Sequence, residues 1–135
     1  MNKEIKKLSI VIPVFNEKDT VRDILQKVKK VNLNGIEKEI ILVDDHSSDG
    51  TRDILKKLQQ KGSDLQIYFK EENSGKGATL KEGFRHTSGD YVIVQDADLE
   101  YEPNEYRKLI RALKEEDVDV VYGSRFSGSY EDMTN

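Results

Sequence analysis

Short apolar runs of strand length alternate along this chain with segments whose apolar residues recur every three or four positions, the pattern of a layered α/β domain with a mostly parallel sheet. Five runs predict strands: Leu8–Val14, Glu39–Val43, Leu65–Phe69, Tyr91–Gln95 and Val118–Tyr122. Pro13 belongs at the ladder-free end of the first. Val21, Ile24, Leu25 and Val28 predict a helix behind Asp19 or Thr20, either of which suits a cap. Ile54, Leu55 and Leu58 predict a second helix and Ala78, Leu80 and Phe84 a third. After Pro103, a favourable first-turn residue, Tyr106, Leu109, Ile110 and Leu113 trace a fourth. Residues 127–135 have no period and read as an irregular tail. With no repeat, low-complexity tract or linker, residues 1–135 read as a single domain, and the abrupt polar end leads us to expect a longer protein cut short here.

Composition narrows the partners. Lys plus Arg number 22 against 26 Asp plus Glu, a net charge of −4, and the lysines are scattered, so no clustered positive field exists to bind nucleic acid. The absence of cysteine excludes disulfides and thiolate metal sites. The stretch Leu8–Phe15 is too short to span a bilayer, and no other run in this chain is longer.

In open parallel sheets ligands bind beyond the carboxyl ends of the strands, where NH groups and helix N-termini are free. The unusual residues gather there: Asn16 and Glu17 after the first strand, Asp44 and Asp45 after the second, Asp96 and Asp98 after the fourth, and Arg125 after the fifth. Carboxylates converging on one rim repel unless a cation or hydrogen-bond donors compensate. Asp96-Ala97-Asp98 is the sharpest signal, because carboxylates two residues apart in an extended segment point the same way and can share a divalent ion with diphosphate oxygens. Small Ala97 allows close approach. Glu100 offers a third oxygen ligand, or else a helix-capping or solvated carboxylate.

Asp44 reads as an acceptor for a base NH or ribose hydroxyl. For Asp45 that reading and a purely local role in the turn and helix cap weigh equally, and Ser47 to Thr51 read as structure. Asn73-Ser74-Gly75-Lys76-Gly77 is not a P-loop: position 70 is Lys, and Gly77 stands where Ser or Thr is required. Its glycines let backbone approach a ligand or let a helix start close to the sheet. Lys76 meets a phosphate or faces water, the latter favoured for the residue alone. Arg125 is suited to grip a diphosphate bidentately, its alternative being a surface ion pair. His46 and His86 have no ligand spacing.

Ile10-Val11-Ile12-Pro13-Val14-Phe15-Asn16-Glu17, Val43-Asp44-Asp45-His46-Ser47-Ser48-Asp49-Gly50-Thr51, Asn73-Ser74-Gly75-Lys76-Gly77, Asp96-Ala97-Asp98-Leu99 and Gly123-Ser124-Arg125-Phe126 resemble, in order, the signature segments of family-2 glycosyltransferases. The chain is most similar to the branch that charges polyprenyl phosphates, the dolichol-phosphate mannose and glucose synthases and their bacterial relatives. The resemblance implies a GT-A fold, an α/β/α sandwich. It implies an inverting mechanism and a Mg²⁺ or Mn²⁺ ion on the donor diphosphate. It places Pro13, Phe15 and Glu17 beside the nucleotide, Asp44 on its base or ribose, Asp96 on the ribose or sugar side and Asp98 on the metal. Glu100 stands where that branch often has Gln, which helps hold the ion. Arg125 would contact the donor's phosphates or sugar.

The expected activity is therefore transfer of a hexose from a GDP-mannose or UDP-glucose type of donor to an acceptor such as a polyprenyl phosphate. Asp98 and Arg125 are the residues expected to act on the leaving diphosphate. An anionic phosphate acceptor needs no base, and none is named. The expected location is cytoplasmic, at a membrane face through peripheral association. The rivals are a sugar-nucleotide-binding module without turnover and a phosphate-accepting receiver domain. The receiver fits poorly, since its acidic pair should end the first strand and a lysine should follow the last.

Overall fold

The computed structural model of the chain describes residues 5–61, 64–97, 106, 108, 110, 111 and 120–122, the last three by their backbone. β1 (Lys7–Val14), α1 (Val21–Lys30), β2 (Glu37–Asp44), α2 (Thr51–Gln60), β3 (Leu65–Phe69), α3 (Lys76–Phe84), β4 (Tyr91–Val94) and β5 (Val120–Tyr122) follow in order. The strands lie side by side as β3-β2-β1-β4-β5. All four pairings are parallel. The chain thus builds outward from β1 through β2 to β3, then returns to the opposite side of β1 with β4. That reversal opens a crevice at the carboxyl ends of β1 and β4, the place where such sheets take ligands.

Strand alternation divides the core. Leu8, Ile10, Ile12, Val14, Ile40, Leu42, Leu65, Ile67, Tyr91 and Ile93 face one side and pack with Val21, Ile24, Leu25 and Val28 of α1 and Leu55 of α2. Tyr106 and Ile110, from the helical stretch after Pro103, join the same cluster. Val11 and Val94 face the other way, against Leu80 and Phe84 of α3.

Several boundaries differ from expectation, each for a local reason. β2 starts at Glu37 and runs through Asp44, which is the last strand residue rather than a loop residue. A buried aspartate is tolerated there because Ser47 supplies donors to its carboxylate. Pro13 is not the last residue of β1, since Val14 still pairs with Asp44. Alternate residues of a parallel strand bond to opposite neighbours, and Val11 accepts from Gln95 on the β4 side at 2.9 Å. Pro13 faces that same side just beyond the end of β4, so its missing NH leaves no ladder bond unmade.

The N-cap of α1 is Thr20, but its hydroxyl makes no cap bond. It donates to Glu17 Oε2 at 2.9 Å, while the Glu17 carbonyl accepts the NH groups of Thr20 and Val21. In α3, Ala78 is exposed, and the buried face is made by Thr79, Leu80 and Gly83. Gln95 falls outside β4, though its NH continues the ladder. Leu109, Leu113, Val118 and the tail lie outside the described residues.

Candidate functional site

The loops after β1 and β2 are locked to each other by short polar side chains. Asn16 takes a left-handed conformation, φ 52°, and donates its NH to Ser47 Oγ at 2.8 Å while its Oδ1 accepts the Ser48 NH at 2.8 Å. Asparagine tolerates this region because its side chain bonds locally. The Glu17 NH donates to Thr51 Oγ1 at 3.0 Å, and Asp49 accepts both the NH and the hydroxyl of Thr51. Ser47 to Thr51 are therefore structural, as their composition suggested. Asp44 is fully buried and accepts the Ser47 NH at 3.0 Å and Ser47 Oγ at 2.6 Å, with Arg52 Nη1 3.5 Å away. Its carboxylate holds the loop.

Asp45 ties a different pair of loops. Its Oδ1 accepts the Ser74 NH and its Oδ2 the Gly75 NH, both at 3.0 Å, and Lys70 Nζ lies 3.4 Å from Oδ1. Asn73 Nδ2 donates to the Asp45 carbonyl, and Lys70 also bonds Ser74. Burial opposes the charge on Asp45, but the Ser74 and Gly75 NH groups and Lys70 outweigh it and hold the carboxyl below its ordinary range. Of the two readings left open by the sequence, the local one matches this geometry, with Asp45 holding the segment that leads into α3 rather than capping the nearer α2. The same bonds settle what the glycine-rich segment does here. Gly75, at φ 93°, lets the chain turn into α3, and the NH groups of Ser74 and Gly75 are taken by Asp45.

Asp96 follows β4 at the crevice, with its side chain 15% exposed. Lys76, first residue of α3, reaches it: Nζ lies 2.8 Å from Asp96 Oδ1. Lys76 therefore faces a carboxylate rather than only solvent. Ala97 is buried beside the core. On the β1 side of the crevice Pro13 and Glu17 are half-buried, and Phe15 is the one large hydrophobic residue exposed among those described, at 47%. Asp98, Glu100 and Arg125 lie outside the described residues. The structure thus brings Pro13, Phe15, Glu17, Lys76 and Asp96 to one rim and turns Asp44 and Asp45 inward beneath it.

Residues 9–135 match the profile of glycosyl transferase family 2. This chain belongs to glycosyl transferase family 2. It is 38% identical over 121 residues to the undecaprenyl-phosphate 4-deoxy-4-formamido-L-arabinose transferase of Edwardsiella ictaluri, a match covering 88% of this chain and 37% of that protein. Its fold resembles that of S. aureus TarS 1-349 crystallised with UDP-GlcNAc, with a TM-score of 0.66, 28% identity, and 82% of this chain and 31% of that one covered. It also resembles glucosyl-3-phosphoglycerate synthase from Mycobacterium tuberculosis in complex with Mn²⁺, UDP and phosphoglyceric acid, with a TM-score of 0.63, 25% identity, and 81% and 39% covered. The family member described here spans under half the length of each of these relatives. Its sheet is the GT-A fold, and the receiver-domain alternative is excluded.

Sequence reasoning overlooks three structural residues of this family-2 domain. Lys70, read only as a departure from the P-loop pattern, joins Asp45 to Ser74. Gln95, read as a strand end, is buried and accepts the Tyr106 hydroxyl at 2.7 Å, which ties the helix after Pro103 to the base of Asp96. Glu39, taken as the start of a strand, is a buried carboxylate at the far end of the sheet. A polar residue bordering an apolar run is the available signal for the last two.

Proposed function

We propose that this chain binds a nucleoside diphosphate sugar in the crevice at the carboxyl ends of β1 and β4, and that the protein transfers the hexose, with inversion, to a polyprenyl phosphate. The observation that carries this reading is the position of Asp96, the first carboxylate of Asp96-Ala97-Asp98, at the point where strand order reverses, with exposed Phe15 just after the adjacent β1. Family membership and the acceptor in the name of the Edwardsiella relative support it, as do the UDP-GlcNAc, UDP and Mn²⁺ of the structural relatives. Phe15 offers a flat apolar surface to a base, with Pro13 and Glu17 beside it. Asp44 and Asp45 act from below by fixing the loops that frame the nucleotide.

The donor set Asp96, Asp98 and Glu100 is all carboxylate, the oxygen chemistry that Mg²⁺ and Mn²⁺ prefer, and the described member of the set sits at the crevice, so the residues fit such an ion. Once bound, the ion supplies positive charge to the leaving diphosphate. Arg125 adds a bidentate contact to the same phosphates. The acceptor phosphate is already anionic, so its oxygen attacks the anomeric carbon without a base, from the face opposite the diphosphate. No helix among the described residues is long and apolar enough to cross a membrane. Independently of that, a lipid acceptor would bring this domain to a membrane face, where we expect peripheral association on the cytoplasmic side.

Calorimetric titration of UDP, GDP and their hexose conjugates, with Mn²⁺ and again with chelator, tests the donor site. Binding of one nucleotide that needs the metal is the expected result, and Asp98→Ala abolishes the metal dependence. Unchanged Mn²⁺ dependence in that variant would overturn the Asp-x-Asp assignment. Metal-dependent donor binding with neither transfer nor donor hydrolysis would identify a binding module instead.

A further inference from the structure

We infer that Lys76 is a placeholder cation: its ammonium holds Oδ1 of Asp96 until a divalent ion takes that oxygen, and then turns to the diphosphate of the incoming donor. The inference rests on the donor-site reading above. Lys76 Nζ stands 2.8 Å from Asp96 Oδ1, at one of the carboxylates assigned to the ion.

The root and the arm of Lys76 are held very differently. At the root, the backbone entering α3 is pinned. The NH groups of the two preceding residues, Ser74 and Gly75, are bonded to Asp45, and the Thr79 NH and hydroxyl both donate to the Gly75 carbonyl. The arm is 52% exposed, and a lysine stem carries a compact charge on several rotatable bonds. Reorienting the ammonium requires rotation about the stem and no movement of the helix.

Charge accounting gives the swing its direction. With no ion bound, the Lys76 ammonium offsets the charge of Asp96. A divalent ion on Asp96 places two cations at one carboxylate, which favours departure of the weaker, singly charged partner. The diphosphate brings negative charge to the same crevice, and the displaced ammonium is drawn to it. Lys76 and the ion then compete in the absence of donor and cooperate in its presence. A lysine that merely stabilises the fold, or that binds phosphate independently of Asp96, lacks this opposition of sign.

The test uses the full 135-residue chain and two variants, Lys76→Met, which keeps the length of the stem, and Lys76→Arg, which keeps the charge. Far-UV circular dichroism establishes that each is folded. Mn²⁺ alone is titrated with the free ion followed by electron paramagnetic resonance, and UDP and GDP are titrated calorimetrically at saturating Mn²⁺. Lys76→Met is expected to bind Mn²⁺ alone about two- to five-fold more tightly, the scale of an exposed ion pair removed. It is expected to bind the nucleotide about ten-fold more weakly, the scale of one charge-assisted hydrogen bond. Lys76→Arg returns both affinities toward wild type. No increase in Mn²⁺ affinity in Lys76→Met, or unchanged nucleotide affinity, overturns the exchange while leaving the donor site intact. Failure of the folded wild-type chain to bind either nucleotide overturns the donor site itself, and the exchange with it.

Discussion

Glu39 shows how much a single residue can contribute away from the site. Its side chain is 8% exposed, near the amino-terminal end of β2, and it accepts from Ser9 Oγ at 2.7 Å, from the NH and hydroxyl of Ser88 at 2.8 and 2.7 Å, and from Gln66 Nε2 at 3.2 Å, with Lys7 Nζ 3.3 Å away. Burial opposes its charge, but the bonds from Ser88, Ser9 and Lys7 prevail and bring its pKa from 4.5 to about 2. The folded chain keeps Glu39 ionised where the unfolded chain has already protonated it. The resulting stability is fully present above pH 4.5 and is lost as the pH falls toward 2. Its size is roughly 3 kcal/mol. Denaturant melts of wild type and Glu39→Gln from neutral pH downward measure it. The variant should be weaker at pH 7, and the gap should close through that window; a gap independent of pH would contradict the assignment. Asp45 and Asp49 are also shifted downward, so the difference between the two proteins, not the wild-type curve alone, isolates Glu39. None of this is legible in the sequence, because the partners of Glu39 lie 30 and 49 residues away along the chain.

Among the elements, legibility follows the width of the apolar stripe. α1 buries Val21, Ile24, Leu25 and Val28, the four residues its spacing names, because a wide apolar face admits one orientation against a sheet. Its far end is closed by Lys38, whose Nζ donates to the carbonyls of Val28, Lys29 and Val31, a helix C-cap supplied from the neighbouring strand. α3 departs from its spacing on this point. Its stripe is narrow, and it packs through small residues: a Cβ on Gly83 would lie 2.5 Å from Val11 Cγ1 and 3.4 Å from Val43 Cγ2. Val11 is β-branched and fully buried in the central strand, so it cannot turn aside. Gly83→Ala should therefore destabilise the domain by about 1–3 kcal/mol, although alanine is the better helix former. Chemical denaturation of the variant checks this, and a neutral or stabilising result would mean that α3 can lift from the sheet without loss.

For the molecule as a whole, the path from core to crevice runs through Gln95. Its NH bonds Val11, its Oε1 accepts the Tyr106 hydroxyl, and its Nε2 donates to the Asp96 carbonyl at 3.1 Å. β1, β4 and the helix after Pro103 are thereby joined immediately behind Asp96. Among the described residues no buried side-chain nitrogen or oxygen lacks a partner. Tyr106→Phe removes the hydroxyl alone and should destabilise the chain by about 1–2 kcal/mol. If that junction also orients Asp96, Mn²⁺-dependent nucleotide affinity should fall in the same variant, and stability loss with unchanged affinity would confine the junction to folding.

The sequence by itself determined the alternation of strands and helices, the parallel sheet and membership of the family, because hydrophobic period and strand-end chemistry are local and survive in one dimension. Which strand-end carboxylates are tied into loops and which stays partly open was decided only by tertiary structure. Asp44, Asp45 and Asp96 read alike along the chain, each a carboxylate at the end of an apolar strand. Folding brings Ser47 and Arg52 onto Asp44 and the Ser74–Gly75 NH groups onto Asp45, while Asp96, beside Lys76, stays partly open at the crevice. A carboxylate's role is set by the donors that reach it, and those donors come from loops whose proximity depends on the order of strands in the sheet.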